Sequence, residues 1–131
     1  MGEHRMEYEI SIAENCMYIR IKYFAPMTTE LAFKSGPELN RLAAENGIRR
    51  FLFDMQESSN VQSVTDNYFF ANQHLPNMDF PKDSRSAFLI PPLDHSHDFI
   101  TMAFQNAGYT VAKFSAEAEA ISWLCADLEG E

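Results

Sequence analysis

The sequence predicts an α/β fold, a mixed five-stranded sheet in the order β-β-α-β-α-β-α-β-α. Three observations predict it. Apolar and polar residues alternate from Met6 to Tyr23, as in a hairpin with one wet face. Three later short apolar runs, Phe51-Leu52-Phe53, Ala87-Phe88-Leu89-Ile90 and Thr110-Val111-Ala112-Lys113-Phe114, read as strands. Segments of helical period separate them, which implies parallel strands joined by right-handed crossovers.

Each element has its own signal. Met6, Tyr8, Ile10 and Ile12 form one face of the first strand, and Met17, Ile19, Ile21 and Tyr23 one face of the second. Ala13-Glu14-Asn15 is the turn between them. The wet faces carry acids on one strand and bases on the other, which suits cross-strand pairing. Leu31, Ser35, Leu39, Leu42 and Ala43 then share a helical face. Thr28 or Thr29 can cap this helix, Glu30 sits in its first turn and Asn46-Gly47 ends it. Gly36-Pro37 predicts a kink or a break inside it. Asp54 closes the third strand, and a polar loop runs from Gln56 to Ser63. Val64, Tyr68, Ala71 and Leu75 mark a second helix. An irregular connection, Pro76 to Arg85, strands Met78 and Phe80. Pro91-Pro92 stops the fourth strand. A helix from about Ser96 turns Phe99, Ile100, Ala103, Phe104 and Ala107 inward, and Gly108 ends it. After the last strand, Ser115 can cap a helix whose stripe is Ile121, Leu124 and Leu128, with Trp123 on its shoulder.

Composition narrows the class. The chain has 131 residues, 46% of them hydrophobic and 22% charged, which excludes wholesale disorder. The length fits a single domain, residues 1–131 with a core of about 6–125. A chain of this length buries roughly two thirds of its unfolded surface. Eleven Phe, five Tyr and one Trp supply much of the core. The net charge of -9 repels phosphate backbones and anionic lipid, so neither nucleic acid nor membrane is an expected partner. No apolar run approaches the length of a membrane span, and the N-terminus shows no secretory pattern. A cytoplasmic location is expected. Cys16 and Cys125 lie far apart in sequence without metal or redox spacing, and are expected to be reduced, structural thiols.

The hairpin, the strands Arg50-Phe51-Leu52-Phe53-Asp54 and Arg85-Ser86-Ala87-Phe88-Leu89-Ile90, and the ending Thr110-Val111-Ala112-Lys113-Phe114 with Ala120-Ile121-Ser122-Trp123-Leu124 resemble the STAS-like fold. That fold includes the anti-sigma-factor antagonists (SpoIIAA-like proteins) and the cytosolic domains of sulfate transporters. It is close in architecture to the lipid-exchange fold of CRAL-TRIO proteins. The ending is similar to that of small bacterial STAS-like proteins of unassigned role. The resemblance covers about residues 6 to 125 and rests on core pattern, so it implies fold more than activity. Anti-sigma-factor antagonists carry Asp-Ser-Ser-Gly after the third strand, with one serine phosphorylated at a helix N-terminus. The matching segment here is Glu57-Ser58-Ser59-Asn60, which departs at both ends and precedes the expected caps Ser63 or Thr65. Ser58 and Ser59 are the regulatory candidates that the resemblance implies.

Few constellations carry chemistry. The five glycines do not cluster, so no phosphate-cradling loop is present. Asp94-His95-Ser96-His97-Asp98 is the densest polar segment, at the strand end where open α/β sheets bind ligands. With Asp54, Glu57 and the serines nearby, a metal-dependent hydrolase is a remote alternative. His95 and His97 are two apart, however, and do not share a helical face. No catalytic residue, metal or cofactor is assigned. Tyr68, Phe69, Phe70 and Ala71 are consecutive, so the second helix has more apolar surface than one stripe needs. Covered by Met78 and Phe80, it is core; uncovered, it is a surface for self-association or for an apolar ligand. Met27, Met55, Met78 and Met102 are candidates for an adaptable pocket or for filling gaps in the core. The functional expectation is therefore a non-enzymatic interaction module that binds a protein partner or forms a homodimer. A carrier or sensor of a small apolar ligand is the alternative.

Overall fold

The structure is a computed structural model that describes residues 6–77 and 80–126. Strands β1 (Tyr8–Ala13) and β2 (Tyr18–Tyr23) form the antiparallel hairpin. Helix α1 (Thr29–Asn46) leads to β3 (Arg50–Asp54), and the short α2 (Val64–Phe69) runs into a π-helical turn (Phe70–His74) and a 3-10 turn (Leu75–Asn77). Strand β4 (Arg85–Leu89), α3 (Asp98–Asn106), β5 (Thr110–Phe114) and α4 (Glu117–Leu124) complete the chain. The sheet order is β1-β2-β3-β4-β5, with β2 to β5 parallel. The expected mixed α/β sheet is what forms.

The pleat divides the core in two. Ile19, Ile21, Tyr23, Phe51, Phe88, Ile90 and Val111 point to one face, where α1, the π turn and α3 cover them. Tyr18, Leu52, Ala87 and Leu89 point to the other, under Ala120 and Leu124 of α4. Central strands buried on both faces explain their unbroken apolar runs.

Several boundaries differ from the pattern. Met17 has a φ of 51° and belongs to the turn, because an extended strand cannot continue through that conformation. Ala13 in turn pairs with Tyr18 and stays in β1. Helix α1 runs unbroken through Pro37. Only the bond to the Phe33 carbonyl is forgone, while Leu31, Ser35, Leu39 and Ala43 bury a common stripe on both sides of it. Its ends are as expected: Thr28 Oγ1 accepts from the Leu31 amide at 3.1 Å, and Gly47 takes the left-handed conformation at φ 65°. The bases of β2 do not pair with the acids of β1. Arg20 bonds Asp54 and Glu117, and Lys22 bonds Glu57.

The expected stripe Val64, Tyr68, Ala71 and Leu75 holds only in its second half. Val64 and Tyr68 are 86% and 62% exposed, whereas Phe70 and Leu75 are buried. The π turn bonds the Leu75 amide to the Phe70 carbonyl, so residues five apart share the inward face. Phe99 is exposed, since the inward stripe of α3 is Ile100, Ala103, Phe104 and Ala107. Ser115 does not cap α4; its N-cap is Ala116, without a side-chain bond. Leu128 lies outside the described residues. The two cysteines, expected as reduced thiols, are bonded to each other. Cys16, in the hairpin turn, and Cys125, after α4, form a disulfide with Cα atoms 5.8 Å apart. Sequence distance hid the pairing, because the turn and the end of α4 meet on the same face of the sheet.

Candidate functional site

Under α1, the first core face is not filled. Strands β2, β3, β4 and β5 contribute Tyr23, Phe53, Ser86, Phe88 and Val111 to the floor of a cavity of about 110 Å³, and Met55, which follows β3, joins them. Ala32, Ser35, Gly36 and Leu39 of α1 form its roof, and these mostly small residues keep the helix from closing the gap. Phe70 enters from the π turn, Ile100 and Phe104 from α3, and Phe80 from the connection before β4. The walls are aromatic and mutually packed. Phe53 meets Phe88 edge-on at 5.3 Å, Phe88 meets Phe104 edge-on at 5.9 Å, and Phe80 lies 4.8 Å from Phe51.

Polar groups gather at two places. Deep under α1, the hydroxyls of Tyr23 and Ser35 are 2.8 Å apart, and Ser35 Oγ donates to the Leu31 carbonyl at 2.9 Å. Burial pushes the Tyr23 phenol up to about 12, so it stays protonated. At the other place, the loop after β3 is tied to the segment before α1. Met27 and Asn60 form a parallel bridge, the Met27 amide donates to the Ser59 carbonyl at 2.8 Å, and the Thr29 amide donates to Gln62 Oε1. Asn67 Oδ1 accepts from Asn60 at 3.0 Å and from Gln62 at 3.1 Å, which couples this loop to α2.

The serine candidates flank this loop. Ser58 is only 3% exposed, and its hydroxyl has no partner among the described residues. Ser59 is exposed, with Oγ 3.4 Å from Asp94 Oδ2. The cap of α2 is Ser63, whose hydroxyl accepts from the Asp66 amide at 3.0 Å. Of the aromatic candidates, Phe70 and Phe80 line the cavity, while Tyr68 and Phe69 face outward at 62% and 54% exposure. Met27 and Met55 line the cavity, Met102 is exposed, and Met78 lies outside the described residues.

The polar segment before α3 is used locally. His97 is buried and points Nε2 at the Ser58 carbonyl, 2.7 Å away; since a carbonyl only accepts, that nitrogen carries a proton. His95 is exposed and bonds Asp98, 3.2 Å away. Burial opposes the charge of Asp94, but the hydroxyl and amide of Ser96 outweigh it and hold the carboxyl below its ordinary range. The Lys113 ammonium does the same for Asp98. Glu57 bonds Lys22 and does not join the histidines. Among the described residues, no group of three or more His, Cys, Asp or Glu is placed to hold a metal ion.

On the opposite sheet face, Asp54 is fully buried. Its Oδ2 is 2.6 Å from Arg20, and its Oδ1 accepts from the Gln56 amide at 3.1 Å. Arg20 also reaches Glu117 at 3.1 Å, which ties β2, β3 and α4 together.

No protein-family model matches the chain, and no curated protein matches it. Among solved structures, it is similar to the crystal structure of an uncharacterized protein from the DUF3478 family with a SpoIIAA-like fold, from Shewanella loihica PV-4. The TM-score is 0.61 at 19% identity, covering 95% of this chain and 99% of the other. The fold is SpoIIAA-like. At that identity the likeness speaks for the SpoIIAA-like architecture alone. Among the described residues, no helix is long and apolar enough to cross a membrane.

The aromatic lining from Phe53, Phe88 and Phe104 was not singled out by the sequence, because buried aromatics read as ordinary core. Ser35 was the available signal: a hydroxyl inside an otherwise apolar helical stripe.

Proposed function

We propose that this protein is a non-enzymatic binding module that takes a small apolar molecule into the cavity beneath α1. The cavity itself carries the reading: about 110 Å³ of space with a mainly aromatic and aliphatic lining. A cavity of about 150 Å³ lined by Leu, Ile and Phe stays dry and takes up benzene or xenon, so this space is on the right scale for such a ligand. Burying apolar surface in a preformed pocket needs no catalytic group.

Benzene titration of the full chain, followed by amide NMR, tests it. Shifts centred on Phe53, Phe88 and Phe104 are expected, and Ala32→Leu, which fills the roof, abolishes them. Failure of benzene to shift these residues, or equal binding by the filled variant, removes the reading.

One observation favours a second use. Tyr68 and Phe69 present adjacent aromatic rings to solvent from α2, which suits self-association or a protein partner. Sedimentation that depends on concentration in the wild type, and not in Tyr68→Ser/Phe69→Ser, supports a homodimer through this face. A monomer at every concentration removes it. A cytoplasmic setting belongs to this proposal, and there the thiol pool competes with the Cys16–Cys125 bond. Alkylation of cell lysates followed by mass measurement reads which state is held.

A further inference from the structure

Resting on the cavity reading above, we infer that the preferred ligand is a small neutral molecule with one hydroxyl donor on an apolar body, a phenol or alcohol, and that Tyr23 and Ser35 select it. The hydroxyl hydrogens can be counted. Ser35 has one hydroxyl hydrogen, and the Leu31 carbonyl 2.9 Å away can only accept, so that hydrogen is committed. The contact of 2.8 Å between Tyr23 and Ser35 is then made by the Tyr23 hydrogen. Both hydrogens are spent inside the wall. What remains is acceptor capacity on the Tyr23 oxygen, which receives no hydrogen bond among the described residues. A buried acceptor of this kind is matched by a ligand that donates.

Charge narrows the class further. Among the described residues no Lys or Arg lines the cavity, so a carboxylate entering it would be buried without a Lys or Arg counter-charge. The Nε2 of His97, on the cavity wall, is already committed to the Ser58 carbonyl and is not offered to a ligand. A neutral donor fits; an anion does not.

The test compares phenol, benzene and benzoate on the full-length chain by NMR titration. Phenol is expected to bind about three- to tenfold tighter than benzene, the range for one neutral hydrogen bond, and benzoate weaker than both. Tyr23→Phe removes the preference for phenol and leaves benzene binding in place. Ser35→Ala releases the Tyr23 hydrogen, so affinity for benzaldehyde, an acceptor without a donor, rises in that variant. Should Tyr23→Phe fail to fold, as read by circular dichroism, the wild-type series and Ser35→Ala decide. Equal affinities for phenol and benzene overturn the inference while leaving the cavity reading intact. If none of the three binds, the cavity reading itself falls, and this inference falls with it.

Discussion

Removing the Cys16–Cys125 disulfide should lower stability by an amount that the chain length sets. The two cysteines are 109 residues apart, so the bond closes nearly the whole chain into one loop. Chain-entropy bookkeeping for a loop of this size gives about 4.8 kcal/mol, and native disulfides commonly return about 2–5 kcal/mol. Unfolding entropy of about 2.1 cal/mol/K per residue gives roughly 0.28 kcal/mol/K for this chain. The bond then corresponds to about 7–18 °C in the unfolding midpoint. Calorimetry of oxidised protein, of protein reduced with dithiothreitol, and of Cys16→Ser/Cys125→Ser measures it. The reduced protein and the double variant should melt together, well below the oxidised form. Identical midpoints in all three, with two alkylatable thiols before reduction, would show that the sulfurs are not bonded in solution and refute the reasoning.

Other outcomes follow from the same contacts. Asp54→Ala strips a fully buried carboxylate from Arg20 and the Gln56 amide; one-sided loss of a buried pair costs about 3–5 kcal/mol, and because Arg20 is partly exposed and keeps Glu117 the loss should fall at or below the low end of that range, read by urea unfolding. A loss under 1 kcal/mol would mean that Glu117 and water replace it. Arg20 holds Glu117 below its ordinary value, with partial burial opposing, so the unfolded chain takes up that proton first. Stability from this contact is present above pH 4.5, the ordinary value, and is lost as pH falls through the lower folded value. Glu117→Gln should flatten that acid limb. Tyr8, through its hydrogen bond to Glu38, and Tyr23, through burial, both ionise only at about 12 in the folded chain. The unfolded chain releases those protons first, from pH 10, so stability falls as pH rises above 10. Phenolate absorbance against pH, with and without denaturant, checks it; early titration of all the tyrosines in the native state would count against the burial of Tyr23.

The sequence made the sheet legible because its signals are local. Alternation from Tyr8 to Tyr23, the short runs at Phe51 and Phe88, and the caps Thr28, Gly47 and Ser63 each report on neighbours a few residues away. What stayed hidden depends on distant partners. The disulfide joins the first turn to the last helix. The inward face of α2 follows from a π turn, whose five-residue spacing no 3.6-residue template detects. The cavity exists because Ala32, Ser35 and Gly36 come to lie over Phe53 and Phe88, and small residues in a helix do not announce what they fail to fill. The serines were found as a pattern, yet the burial of Ser58 and the pairing of Ser59 with Asp94 arise from contact with the segment before α3.

The order of strands across the sheet repeats their order along the chain. During synthesis each strand from β2 onward therefore emerges to find its ladder partner already made, and the sheet can grow from one edge without threading. Cys125 follows all five strands in the chain, so the bond to Cys16 can close only after every strand has been synthesised. The covalent tie to Cys16 thus acts as a clasp between the first hairpin and the end of α4.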